Sequence, residues 1–431
     1  MDKINIKQTN EYFYTYTLDN GLKVYFYNNP NVKNFYMTLG TKFGSADVEF
    51  KFKGEDTYRK VPYGLAHFLE HITFHLDGME AEELFTPYGA YINAYTSYKR
   101  TCYLVSGNSN FDKCLDNLLY FVYTSYYTEE TVENEKGIIK EESKMCDDNV
   151  DRVFVLNRTR ALFSESNYTH KIVGNLDDID SISLQNINDA YDVFYHPSNM
   201  YLIIAGNFDN DEAIKVIDER MKTFTFKDKK DFEVKIPLEP INVNKDYYEY
   251  PANSLTSKVS YSIKIPISSI KETNLSQQEY EMYLTLAMLS IFGSTSKCYQ
   301  ELLEKDIVNY PTSVRVEKTD DYEVINITSS PKDNRCDEFI DIIKKYINNI
   351  ELDENEIKRK IKAYKSSYLL SFDDNEEVVY SFIDDIINYG TVLDNFMELI
   401  DAFTIDKAKK IINSIDFNNK SIVIMRIKED N

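Results

Sequence analysis

Three of the chain's five histidines, His67, His71 and His75, fall within nine residues, the first two in the stretch Gly64-Leu65-Ala66-His67-Phe68-Leu69-Glu70-His71. Two imidazoles four positions apart can work together on an α-helix, where residues i and i+4 project from one face a turn apart. Leu65, Phe68 and Leu69 supply the apolar side by which such a helix packs. Glu70, three residues after His67 and next to His71, reaches the rim of the histidine face. Two neutral imidazoles and a nearby carboxylate are the groups a catalytic zinc site uses: the nitrogens hold the ion and the carboxylate takes a proton from water. His75 continues the spacing by four. Three such histidines on a straight helix spread over roughly 11–12 Å, too far for one ion. A third ligand must therefore come from another element, and the fold must bring a second segment onto this helix.

A candidate segment follows the start signal Thr128-Glu129-Glu130. Val132, Ile138 and Ile139 keep an apolar stripe at helical spacing, and the acidic first turn suits the helix dipole. Glu135 and Glu142 stand seven apart, on one face two turns along. Taken alone, such a helix reads first as a solvated acidic surface. Paired with the histidine helix, its two carboxylates become candidates for the metal site.

The His-x-x-Glu-His order reverses the commoner His-Glu-x-x-His and is that of the inverted zinc peptidases. Further motifs keep register with it: Thr17-Leu18-Asp19-Asn20-Gly21-Leu22-Lys23-Val24 before it, then Asn93-Ala94-Tyr95-Thr96-Ser97, Glu135 to Glu142, and Tyr195-His196-Pro197-Ser198-Asn199-Met200. On these motifs the chain resembles the pitrilysin family of zinc peptidases, which includes insulysin and the mitochondrial processing peptidases. It is most similar to the short bacterial members built of two halves. The match is strong over about residues 10–225 and weaker beyond. The resemblance implies one Zn²⁺ per chain, held by His67, His71 and Glu142, with Glu70 as general base and Glu135 supporting catalysis beside the metal. It implies an α+β fold of two homologous domains, each a mostly antiparallel sheet with helices on one face, forming half of a clamshell chamber. It also implies that the strand carrying Asn93 and Ala94 pairs with an extended peptide substrate. In the family an arginine, with a tyrosine seven residues later, helps hold substrate across the metal. Here Tyr310 matches the tyrosine, but Leu303 stands where the arginine would be. That departure points to a related subunit that supplies the arginine and tyrosine, with a homodimer as the alternative.

At 431 residues the chain exceeds one typical core. The expected division is an N-terminal zinc-peptidase domain at 1–228, a linker at 229–245 and a C-terminal domain without the metal motif at 246–431. Ser183 to Tyr195 reads as a helix N-capped by Ser183, followed by Pro197 and an apolar strand over Met200 to Ala205. Thr404 to Ile412 followed by Ser421 to Met425 repeats that helix-turn-strand some 220 residues later, as duplicated domains would. Leu22 to Tyr27 and Asn34 to Gly40 alternate as strands, and Ala90 to Thr96 with Thr101 to Val105 reads as a hairpin near the site.

A formal charge of −22 argues against nucleic acid and anionic membranes as partners, since either asks for a basic surface, and leaves attraction for basic peptides or pairing with a less acidic subunit, without identifying a substrate. No window approaches 18 consecutive apolar residues, and Met1 to Lys7 lacks the apolar core of a secretory leader. Five scattered cysteines without a Cys-x-x-Cys pair suit reduced thiols in a cytoplasmic protein. The resulting expectation is a zinc endopeptidase acting on peptides or unfolded segments, by trimming a leader or clearing small peptides. The alternatives are a non-catalytic scaffold subunit of the same fold and a metal-dependent hydrolase of non-peptide substrates.

Overall fold

The run Met200 to Ala205 is apolar on both parities, and the strand it forms, Met200–Gly206, is buried along its whole length. Only a central strand covered on both faces can bury such a run. The computed structural model describes residues 1–124 and 126–428. In it this strand sits inside a seven-stranded sheet. The order is Asp2–Asn5, Tyr12–Thr17, Lys23–Asn28, Met200–Gly206, Phe35–Thr41, Thr101–Gly107 and Tyr91–Thr96. Every neighbouring pair is antiparallel except Lys23–Asn28 beside Met200–Gly206. The strand Tyr91–Thr96, which carries Asn93 and Ala94, ends the sheet, so among the described residues one of its edges lacks a partner strand.

Alternation sorts the two faces. Tyr201, Ile203 and Ala205 pack with Tyr25, Tyr27, Cys102 and Leu104 against Phe382, Val379, Ile383 and Ile386 of the helix Asn375–Tyr389. The opposite parity faces helices drawn from the first half of the sequence. Tyr103 meets the ring of Phe121 on the helix Phe111–Tyr123, which packs beside Asn210–Met221. The helix Leu65–Thr73 lies against Tyr91–Thr96 and Thr101–Gly107.

The second sheet has five strands in the order Tyr247–Ala252, Lys420–Ile427, Lys258–Pro266, Tyr322–Ser329 and Ser313–Lys318. It again has one parallel pair, Tyr247–Ala252 beside Lys420–Ile427, and its other pairs are antiparallel. This is the order and sense of the last five strands of the first sheet. The repeat foreseen in the sequence is therefore structural: Leu184–Phe194 leads to Met200–Gly206 as Ile405–Asn413 leads to Lys420–Ile427. Each helix starts on a side-chain cap, the expected Ser183 accepting from the Asn186 N–H and Thr404 from the Lys407 N–H. One face of this sheet carries Ile263, Ile325, Ile327 and Ile424 into a core with Tyr283, Ala287, Phe339 and Ile411. The other carries Val423 and Met425 against Phe154 and Ala161 of the helix Val150–Leu162.

The covering helices make the division of the chain differ from the contiguous one expected. One compact unit contains residues 1–145, 170–236 and 368–395, and the other 146–169, 237–367 and 396–431. Each sheet has one face covered by helices from its own half of the sequence and the other by a helix from the opposite half. An amphipathic pattern shows that a helix has a buried face, but not which sheet that face covers. The expected linker region also contains a short strand, Phe232–Val234, paired with Glu49–Phe52 in the first unit. All five cysteines are buried free thiols, and Asp373, Asp374, Glu376 and Glu377 are exposed.

Candidate metal centre

The histidine helix begins at a glycine for a steric reason. Gly64 has φ +88°, and a Cβ there would stand 2.5 Å from the Val173 carbonyl oxygen. From this start Leu65, Ala66, Phe68, Leu69 and Ile72 are buried, which leaves His67 and His71 on the remaining face. The helix ends at Thr73, so His75 does not continue a helical ladder. It lies on the ribbon strand His75–Leu76, which pairs with Met79–Glu80 through a turn containing Gly78 at φ +75°.

The second helix, Glu129–Asp148, buries Val132 and Ile139 and brings Glu135 and Glu142 to the histidines. The Glu142 Oε2 lies 3.0 Å from His67 Nε2 and 3.4 Å from His71 Nε2. One ligand atom from each of these three residues falls within 4.8 Å of the others. Donors on a tetrahedral ion at about 2.1 Å stand ~3.4 Å apart, so two nitrogens and one carboxylate oxygen in this arrangement suit zinc in number, type and spacing. His71 Nδ1 is 2.9 Å from Glu135 Oε1. An ionised carboxylate only accepts, so Nδ1 carries a proton toward Glu135, which leaves Nε2 as the nitrogen that a metal ion would take in exchange for a proton. His67 Nδ1 faces Glu70 Oε2 at 3.3 Å, which leaves its Nε2 turned the same way.

The charges reinforce this geometry. Burial opposes a positive His67, but hydrogen bonds with Glu142 and Glu70 outweigh it and raise its pKa. Burial likewise opposes charge on His71, yet Glu135 and Glu142 push it up to about 10. The hydrogen bond to Glu135 is the main cause that lifts His75 to about 9. Burial would raise Glu135, and its bonds to His71 and His75 bring it down to about 2 instead. Glu142 is held well below the usual carboxylate range, first by His67 and then by His71. A point that binds protons this firmly also attracts a metal cation.

Glu70 is buried beside the candidate ligands, and the Thr96 hydroxyl donates to its Oε2 at 2.5 Å. Thr96 lies on the edge strand two residues after Ala94, on the same parity, and its hydroxyl is 3.3 Å from that of Thr101. Asn93 is exposed there, and its Oδ1 accepts from the Ala94 N–H at 2.9 Å. Tyr310 stands in the other unit, 80 % exposed, and Leu303 is 43 % exposed on the helix Lys297–Glu304. The structure thus brings His67, His71, Glu70, Glu135 and Glu142 together in one unit and assigns Tyr310 to the other.

Three features went unread in the sequence. Thr96 was part of a quoted motif, but its bond to Glu70 depends on strand parity across two elements. Glu80 binds His75 Nδ1 at 2.9 Å, five residues along a hairpin whose Asp77-Gly78 turn was the visible signal. Ile138, expected in the buried stripe with Val132 and Ile139, is 57 % exposed, because six residues turn it about 120° from Val132. With Met145, 69 % exposed, it flanks Glu142 on that helix face. Apolar side chains thus border the candidate metal ligand.

Comparison with known proteins gives a consistent picture. The profile of Insulinase (Peptidase family M16) matches residues 58–175, and that of the Peptidase M16 inactive domain matches residues 181–364. The uncharacterized zinc protease YmfH of Bacillus subtilis is 33 % identical over 308 residues, 71 % of each chain. An uncharacterized zinc protease of Rickettsia felis is 25 % identical over 412 residues, 92 % of each chain. Among solved structures, a putative M16-like peptidase from Alicyclobacillus acidocaldarius superposes with a TM-score of 0.90 at 26 % identity, covering 98 % of this chain and 100 % of that one.

Proposed function

The chain belongs to the insulinase family, peptidase family M16, and from that premise we propose that it is a zinc-dependent endopeptidase acting on peptides or unfolded segments. The observation that carries the reading is the convergence of His67 Nε2, His71 Nε2 and Glu142 Oε2 on one point beside the buried Glu70 carboxylate. His67, His71 and Glu142 hold one zinc per chain. Bound zinc supplies Lewis-acid chemistry, polarising the scissile carbonyl and lowering the pKa of water. Glu135 fixes the ring of His71 through Nδ1. Glu70 is the general base. Both of its contacts, from Thr96 and His67, fall on Oε2, leaving Oε1 to take the proton of the attacking water and pass it to the leaving amine nitrogen. The edge strand Tyr91–Thr96, with Asn93 and Ala94, receives the extended substrate by main-chain pairing, and Ile138 and Met145 favour an apolar side chain near the scissile bond.

Among the described residues no helix is long and apolar enough to cross a membrane. With five buried free thiols, we place the protein in the cytoplasm. Leu303, where similar enzymes carry a substrate-holding arginine, supports a two-chain working form. The partner is a related subunit that contributes the arginine and tyrosine, with a second copy of this chain as the alternative. The test is cleavage of a quenched fluorescent peptide library by the purified chain, alone and with candidate partner subunits. Glu70→Gln should keep zinc and lose turnover by about 10²–10⁴-fold or more. Near-normal cleavage by Glu70→Gln would remove Glu70 from the mechanism. Full activity from a strictly monomeric preparation would remove the partner.

A further inference from the structure

The residues past the end of the histidine helix are built to hold one side chain. The helix stops at Thr73, and the chain doubles back in a two-residue turn, Asp77-Gly78, so that His75 lies opposite Glu80 in the ribbon register. Its two ring nitrogens then meet two carboxylates. His75 Nδ1 is 2.9 Å from Glu80 Oε1, and His75 Nε2 is 2.9 Å from Glu135 Oε2. Glu135 is 3 % exposed, and its other oxygen, Oε1, takes His71 Nδ1 at 2.9 Å. Glu80, His75, Glu135 and His71 thus form one chain of hydrogen bonds that runs from the surface to a metal ligand. Each oxygen of Glu135 has one imidazole, and neither imidazole can be lost without leaving a buried carboxylate oxygen unmatched.

We infer that His75 is a positioning residue for His71, acting through Glu135, and so sets how tightly the site holds zinc. The inference rests on the proposed ligand set His67, His71 and Glu142. Without His75, the Oε2 of Glu135 loses its donor inside the protein, and the carboxylate is free to turn. The acceptor that fixes the His71 ring and tautomer is then no longer held in place. Partners of this kind beyond the ligands are worth about 10–100-fold in metal affinity. Glu80 is half-exposed, so its own removal leaves His75 bound to Glu135 and has a smaller effect.

The test is zinc affinity, measured on the purified full chain by competition with a chromogenic chelator. It compares wild type, His75→Ala, His75→Gln, Glu135→Ala and the double variant, with His71→Ala as control. His75→Ala should weaken zinc by ~10–100-fold. His75→Gln, whose amide can still donate to Glu135, should recover much of that loss. In the Glu135→Ala background, His75→Ala should cost nothing further, because the group it acts through is gone. If His75→Ala fails to fold, as judged by thermal unfolding of the chelated protein, His75→Leu against His75→Gln makes the same comparison. Affinity within twofold of wild type for His75→Ala or His75→Leu would overturn the inference, as would equal losses in both backgrounds, the mark of a general structural role. Wild-type affinity in His71→Ala would instead overturn the ligand set, a separate result.

Discussion

Thr96→Val isolates the support of the proposed base from the base itself. The substitution keeps the shape of the side chain and removes the hydroxyl that donates to Glu70 Oε2 at 2.5 Å. Glu70 is only 7 % exposed, so water cannot readily replace that donor. A hydrogen bond to a charged group is worth about 1.5–3 kcal/mol. At ~1.4 kcal/mol per tenfold, its loss predicts a fall in kcat of about 10–150-fold, if the bond is needed to aim Glu70 in the transition state. KM should change little, since Thr96 faces the helix and Glu70 does not hold substrate in this account. The assay is steady-state cleavage of a fluorogenic peptide, with zinc content measured on the same samples. Zinc should be unchanged, because the loss falls on Glu70 and not on His67, His71 or Glu142. Thr96→Ser should restore most of the rate. A Thr96→Val enzyme within twofold of wild type would refute the reasoning, and so would a loss fully explained by missing zinc.

Gly64→Ala should destabilise the first unit by on the order of 2 kcal/mol or more, because it combines a left-handed backbone with a Cβ 2.5 Å from the Val173 carbonyl; thermal unfolding reads this out. Lys264 is 1 % exposed and donates to Glu239 and to the carbonyls of Leu162, Pro240 and Asn242. Lys264→Met removes the counter-ion of buried Glu239 and leaves it only the Ser164, Glu165 and Ser166 N–H groups, and should cost about 3–5 kcal/mol in the second unit, seen in the same measurement. Burial pushes Asp385 up to about 7, with the Leu393 N–H drawing it the other way. Its folded pKa therefore lies above the unfolded one, so the stability it contributes is whole below pH ~4 and is lost as pH rises through 7. Asp385→Asn should flatten that part of the stability profile and raise stability at pH 7.5 by on the order of 2 kcal/mol. An unchanged profile would remove Asp385 from the pH response.

The candidate metal centre was legible because its residues announce themselves through local spacing. His67 and His71 share a helix face by the i, i+4 rule, and Glu135 and Glu142 share one by the seven-residue repeat. That those two helices meet came from the resemblance, since no local pattern pairs elements 64 residues apart. The repeat of helix, turn and strand was visible because capping residues and an apolar run mark its ends, and the matching sheet orders bear it out. Three things were hidden for different reasons. The stripe around Ile138 failed because a sparse apolar pattern on an acidic helix does not fix its buried face. The contacts of His75 with Glu80 and Glu135 could not be read because the helix ends at Thr73, two residues before it. The interleaving of residues 146–169 and 368–395 could not be read at all, since amphipathic helices do not name the sheet they cover.

The central claim is that His67, His71 and Glu142 hold a zinc ion that Glu70 does not. Its most direct test is metal stoichiometry by mass spectrometry on the purified wild type and on His67→Ala, His71→Ala, Glu142→Gln and Glu70→Gln, all dialysed against the same zinc-buffered solution. The account predicts about one zinc per chain in wild type and in Glu70→Gln. It predicts little in either histidine variant and a clear deficit in Glu142→Gln. Full zinc in His67→Ala or His71→Ala, or an empty Glu70→Gln, would contradict it.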